Sequence, residues 1–104
     1  MLLLEQVAQL YEKFGASTSI EDKETVAKQI CFECSMAIWK LCSIDIPSAY
    51  VDSDTVMQYY ELARQATKKS KACNDDSERM IIEFYAGTLK EKCVWLSKLY
   101  GTRS

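Results

Sequence analysis

The chain contains no histidine. Because imidazole is the usual proton carrier in nucleophile–base pairs and a frequent zinc ligand, this absence excludes Ser-His-Asp and Cys-His catalysis and Cys2His2 zinc sites. Glycine is scarce too: Gly15, Gly87 and Gly101 are isolated from one another, so no glycine-rich phosphate loop is present. We therefore expect no enzymatic activity, no metal and no cofactor.

Proline and long apolar runs are also rare. With one proline and three glycines among 104 residues, turns are few and a β-sandwich is excluded. A hydrophobic content of 48% fits one domain over residues 1–104. No apolar run approaches the ~20 residues of a membrane span, and the apolar start ends at Glu5 without the basic region of a signal peptide. With five cysteines, an odd number, we predict an intracellular protein, cytoplasmic or nuclear.

The spacing of apolar residues predicts an all-α fold. Ser19, Asp52 and Asp75 stand where helix N-caps are expected, and Gly15 and Gly101 stand where the first and last helices should end. The predicted fold is a compact bundle of four helices at about residues 2–14, 20–43, 53–73 and 76–100, the last two forming an antiparallel hairpin.

The second predicted helix has apolar residues on two faces. Phe32, Met36 and Trp39 are spaced for one face, nearly opposite the core stripe that contains Ile30 and Ile38. Either another helix of the chain covers these three residues, or they form an exposed surface that meets a partner or a second copy. We predict them as partner-binding residues.

The third predicted helix has a mixed basic and apolar stripe beside its core face, formed by Met57, Tyr60, Arg64, Lys68 and Lys71. Such a stripe is most often a solvated face. Basic side chains with an aromatic residue can also bind nucleic acid. An acidic partner protein or peptide is the more plausible ligand, with Tyr60 and Arg64 as anchors, because the chain as a whole is acidic, with a net charge of −2.

The fourth predicted helix has a wide apolar face. Phe84 and Trp95 are displaced by a little over 100° from the main stripe, as expected for a helix that wedges between two neighbours. Gly87 lies in the middle of this helix, where glycine is unfavourable. It either admits the backbone of a neighbour or is incidental.

Cys31 and Cys34 form a C-x-x-C pattern. A redox pair of this kind normally sits at a helix N-terminus, whereas these two cysteines fall in the middle of a helix on its core face. A zinc site would need two further ligands: Cys42 could be the third, and Cys73 or Cys93 could be the fourth only if the fold brought one of them close. We interpret them as buried structural cysteines.

Two local resemblances accompany these patterns. Residues 54–63 resemble the second helix of a tetratricopeptide repeat, through the spacing of Val56, Tyr60 and Ala63. Residues 53–100 are similar in outline to the helical hairpin of microtubule-interacting-and-transport domains. Neither resemblance covers more than half of the chain, and neither assigns a role to any residue.

The functional prediction is a protein–protein interaction or adaptor module. It would dock a partner helix or peptide, or self-associate, through apolar helix faces that four helices of this size cannot bury among themselves. The alternative is a nucleic-acid-binding helical domain that uses the basic face of the third helix. No membrane partner is expected.

Overall fold

The computed structural model describes residues 2–47 and 50–103, and it confirms the predicted all-α class. Four helices follow one another along the chain, and no strand is found in the described residues. They are α1 (Leu2–Ala16), α2 (Ile20–Cys42), α3 (Val56–Lys71) and α4 (Asp76–Arg103).

The beginnings of α2 and α4 follow from their capping residues, as predicted. The backbone N–H of Asp22 donates to the Ser19 hydroxyl at 3.1 Å, and the backbone N–H of Glu78 donates to the Asp75 carboxylate at 3.0 Å. Each bond satisfies a helical N–H that would otherwise lack an acceptor.

The prediction for the start of α3 is wrong by three residues. The Asp52 carboxylate accepts the backbone N–H groups of Asp54 and Thr55, each at 3.0 Å, and so it closes a turn ahead of the helix. Helix α3 therefore begins at Val56 rather than Ser53. An aspartate can close such a turn as readily as it caps a helix, and the sequence pattern is the same for both.

The predicted glycine endings are also wrong. Helix α1 continues past Gly15, α4 continues past Gly101, and neither glycine has a positive φ. The left-handed residue is Ser43, with φ 55°, and its backbone N–H donates to the carbonyl oxygen of Trp39 at the end of α2. Glycine costs only ~1 kcal/mol inside a helix, so a well-packed helix continues through it.

Helix α4 lies between α3 and α2, and its contact with α3 is the most extensive in the molecule. Its 28 residues extend about 42 Å at ~1.5 Å per residue, which matches the longest dimension of the protein, 42 Å. The core therefore runs along α4. Its largest fully buried side chains include Tyr59, Ile30, Ile38, Leu89 and Leu96.

The connection between α2 and α3 is a crossover. The Lys69 ammonium donates to the carbonyl oxygen of Cys42 at 2.7 Å, so α3 and α2 end at the same end of the bundle. The described residues 43–47 and 50–55 form the returning segment, which leads back toward the start of α2. Val51 is buried on this return path, and Tyr50 lies beside Thr25 near the start of α2.

Helix α1 packs on α2 and touches α4 through long side chains. The Phe14 and Trp95 rings meet edge to face with centroids 5.1 Å apart, and the Tyr11 hydroxyl donates to the Glu91 carboxylate at 2.5 Å. These pairs show that α1 runs parallel to α4. Within residues 2–47 and 50–103, no helix has the combined length and apolar character of a membrane span.

Candidate partner-binding surfaces

The structure places Phe32, Met36 and Trp39 at the boundary between core and solvent. Phe32 and Met36 are half-buried, and Trp39 is 46% exposed. Phe32 lies in a recess of about 550 Å³ that Lys28, Glu33 and Tyr50 also line. The rest of the chain therefore covers these three residues only in part, and Tyr50 of the returning segment supplies part of the cover.

The structure places four of the five residues of the predicted α3 stripe on an outward-facing surface. Met57, Arg64, Lys68 and Lys71 are exposed, whereas Tyr60 is half-buried. The Arg64 guanidinium lies 3.5 Å from the Glu61 carboxylate, an exposed ion pair of the kind that contributes little to stability.

Packing of the hairpin adds a fourth cation to this stripe. Lys90 of α4 lies beside the basic residues of α3, with its ammonium 5.7 Å from the centroid of the Tyr60 ring. These residues form a cleft with a volume of about 260 Å³, which we call the cationic cleft. It is lined by Glu61, Arg64, Gln65, Thr67, Lys68, Lys71 and Lys90.

Lys90 is the residue that the sequence analysis missed. Because the turn between α3 and α4 is short, residues at similar distances from it meet across the hairpin. Tyr60 and Lys90 lie 14 and 16 residues from Asn74. The predicted hairpin therefore implied that Lys90 lies near Tyr60, although the pattern of each helix taken alone does not show it.

A second recess flanks α3 on its other side. It measures about 490 Å³ and lies between α3 and the start of the returning segment, with Ile46, Pro47 and Met57 among its lining residues. It shares Glu61 and Gln65 with the cationic cleft. The outer face of α3 thus combines an apolar recess with a cationic cleft, whereas the Phe32 recess shares no lining residue with either.

None of the five cysteines forms a disulfide, and Cys31 and Cys34 are buried, in agreement with their interpretation as core residues. Hydrogen bonding to Cys93 and burial together raise the pKa of the Cys31 thiol, and burial raises the pKa of Cys34. Raised pKa values keep both thiols protonated and unreactive at neutral pH. In the described part of the chain, no group of three or more potential ligands is placed to hold a metal ion.

A buried lysine forms the junction between α1 and α4. Lys92 is 3% exposed, and its ammonium lies 3.8 Å from the centroid of the Phe14 ring and 4.4 Å from that of Tyr11. The Glu91 carboxylate is 3.5 Å away. A hydrogen bond to Glu91 raises the pKa of Tyr11 to about 12. Two ring faces and one carboxylate therefore replace the water that this cation lost.

Comparison of the chain with protein-family models, with curated proteins and with solved structures finds no match.

Proposed function

We propose that this protein is a non-enzymatic interaction module that binds an acidic segment of a partner protein in the cationic cleft. One observation carries the proposal: Lys90 of α4 joins Arg64, Lys68 and Lys71 of α3 around one cleft. Glu61 is the single carboxylate among the lining residues. Carboxylate side chains of a partner would complement this surface, and Arg64 would supply a planar donor for two-point contact with one of them.

The apolar recess beside the cleft favours a peptide over a small anion. Met57 is exposed in that recess. Flexible methionine side chains adapt to apolar groups of different shapes. A partner segment that combines acidic residues with an apolar residue would fill both depressions, since they adjoin at Glu61 and Gln65.

Nucleic acid is the alternative ligand for the same surface. Base stacking needs an open aromatic face, but Tyr60 is half-buried and Lys90 already lies over its ring. The net charge of the chain is −2, which gives no general attraction to a phosphate backbone. The covered Tyr60 ring favours the acidic protein segment, whereas the net charge acts on both anionic ligands alike.

The proposal includes an intracellular location, cytoplasmic or nuclear. It rests on the cysteines, which are all free thiols. Reduced thiols persist in the cytosol and nucleus, whereas secretory compartments oxidise them.

The test is a binding titration with a synthetic glutamate-rich peptide that contains one central leucine. We expect the double substitution Arg64→Glu with Lys68→Glu to weaken binding roughly a hundredfold, because repulsion replaces two attractive contacts. The matched control is Lys13→Glu, which reverses an exposed charge on α1, a helix with no Cα atom within 8 Å of α3 in the described chain. It should leave the affinity unchanged within about twofold, since screening limits attraction beyond ~10 Å.

Two outcomes would contradict the proposal. Equal weakening by the control would show general charge attraction, with no role for the cleft. Tighter binding of a single-stranded oligonucleotide, with a steep fall in affinity as salt rises, would favour the nucleic-acid alternative.

A further inference from the structure

The Phe32 recess contains one carboxylate that has no counter-ion in the described chain. Glu33 lines the recess and is half-buried. Within residues 2–47 and 50–103 it forms no hydrogen bond and no ion pair. Partial removal of a carboxylate from water costs free energy unless a cation or a hydrogen-bond donor replaces that water. A cation supplied by a partner would provide this interaction.

The other charged residue of the recess is already paired. The Lys28 ammonium lies 3.1 Å from the Glu24 carboxylate, one turn away on α2. Thr25 and Gln29, the remaining polar residues of the lining, are uncharged. Because the Lys28 charge is balanced by Glu24, the carboxylate of Glu33 determines the net charge of the recess.

The returning segment carries charge of the same sign. Residues 43–55 contain Asp45, Asp52 and Asp54 and no lysine or arginine. All three aspartates are exposed, and Asp52 and Asp54 follow closely after Tyr50, which lines the recess. Acidic surroundings attract a basic partner and repel an acidic one. The recess therefore differs from the cationic cleft in the sign of the ligand that it favours.

Two aromatic side chains line the recess together with the carboxylate. Phe32 is half-buried, and Tyr50 is 76% exposed. The face of an aromatic ring attracts cations, arginine more often than lysine. A guanidinium group also has paired N–H donors in one plane, which match the two oxygen atoms of a carboxylate. Arginine is therefore the side chain whose chemistry best fits this lining.

An apolar stripe of α2 extends from the recess. Met36 and Trp39 follow Phe32 at intervals of four and three residues, so the three side chains share one helix face. Trp39 is 46% exposed. The helix rises about 10 Å from Phe32 to Trp39, which is the length of about three residues of extended chain. A protein segment can contact both ends of this stripe, whereas a small free cation cannot.

We propose that the Phe32 recess binds an arginine side chain of a basic partner protein, with Glu33 as its counter-ion and the Phe32 and Tyr50 rings against the guanidinium group. An apolar residue of the same partner segment contacts Trp39. This inference goes beyond the acidic partner proposed above, because it uses a different surface and a ligand of opposite charge.

The test is a titration of isotope-labelled protein with a synthetic peptide, followed by nuclear magnetic resonance, which detects weak binding. The peptide carries one arginine and, three positions further on, one leucine in a glycine–serine background. We expect shift changes around Phe32 and Trp39. Replacing the arginine with citrulline, its uncharged isostere, should raise the dissociation constant at least about tenfold, because the charge-assisted hydrogen bonds are lost. Replacement with lysine should raise it about threefold.

The protein variants assign the effect to the recess. Glu33→Gln should raise the dissociation constant of the arginine peptide at least about tenfold. Tyr50→Ala removes an exposed ring and should raise it about threefold. The matched control is Glu12→Gln, since Glu12 is an exposed carboxylate in a depression between α1 and α4 that shares no residue with the Phe32 recess. It should leave the affinity unchanged within about twofold, because salt screens exposed charges.

Urea unfolding without peptide separates binding from folding. Glu33→Gln should not lower the unfolding midpoint, because the folded chain loses no ion pair. A lowered midpoint would show that the carboxylate has a structural role and would contradict the proposal.

Four further outcomes would overturn the proposal. Equal affinities of the arginine and citrulline peptides, or equal effects of Glu33→Gln and Glu12→Gln, would exclude the ion pair. Free arginine that binds as tightly as the peptide would assign the recess to a small cation. Association between copies of the chain that Glu33→Gln abolishes would assign it to a second copy. Arg64 and Lys68 lie outside this recess, so failure here leaves the test with the acidic peptide unaffected.

Discussion

Helix α4 contacts α3 and α1 in different ways. On the α3 side the buried positions include the small residues Ala63, Ala66, Ser70 and Ala86, and the helices approach closely. On the α1 side, no Cα atoms of the two helices approach within 8 Å in the described chain. There Tyr11, Phe14, Lys92 and Trp95 span the gap.

The difference shows that a helix can contact its neighbours in two ways, through closely packed backbones or through long side chains that span a wider gap. Small side chains allow many van der Waals contacts per unit length. The hydroxyl of Ser70, the polar residue among the four, donates to the carbonyl oxygen of Thr67 at 2.7 Å. Long side chains bridge a wider gap, but the bridge includes a buried cation that needs partners. We therefore expect the α1 side to depend on a few residues and the α3 side to depend on steric fit.

Phe14→Ala should have the largest effect on this comparison. It removes the edge-to-face contact with Trp95 and one of the two rings that surround the Lys92 ammonium. We expect a loss of about 3 kcal/mol in the free energy of unfolding, measured with urea. Hydrogen exchange should show α1 opening while α3 and α4 keep their protection. Uniform loss of protection across all four helices would contradict local dependence on the α1 side.

Ala66→Leu should have the next largest effect and act on the α3 side. Ala66 is fully buried, so three additional carbon atoms must push the helices apart. We expect a loss of about 2 kcal/mol from overpacking. The neighbouring change Gln65→Leu is the control, because Gln65 is exposed and should change stability by less than about 0.5 kcal/mol. Equal losses of stability at the two positions would show that close packing between α3 and α4 does not determine the stability of this side.

Tyr11→Phe should have the smallest effect on stability. It tests the α1 side through the pH dependence of the free energy of unfolding. The hydrogen bond to Glu91 raises the pKa of Tyr11 from 10.0 to about 12. Because the folded protein keeps this proton after the unfolded chain has lost it, the contribution is fully present below pH 10 and fades as pH rises toward 12. Stability of wild type should fall more steeply than that of Tyr11→Phe in this range. Parallel curves in urea unfolding would contradict the assignment.

The sequence predicted the helices and their buried faces well. It was less informative about contacts between side chains of different helices. Periodicity predicted the buried positions Ile30 and Ile38 on α2, because a core stripe repeats with the helical turn. It did not identify Lys92 as buried, because a lysine next to core positions is expected to extend into solvent unless the rings that cover it are known. It was also incomplete for the cationic cleft, because Lys90 belongs to a different helix from Arg64.

What the sequence determined by itself is the class of structure and the number of helices. Those depend on local quantities: apolar spacing, capping side chains such as Ser19 and Asp75, and the scarcity of turn residues. Only the tertiary structure decided which cations share a cleft and which lysine is buried. Each of these depends on the distance between residues far apart in the chain, and that distance is set by how the helices pack, which no local pattern records.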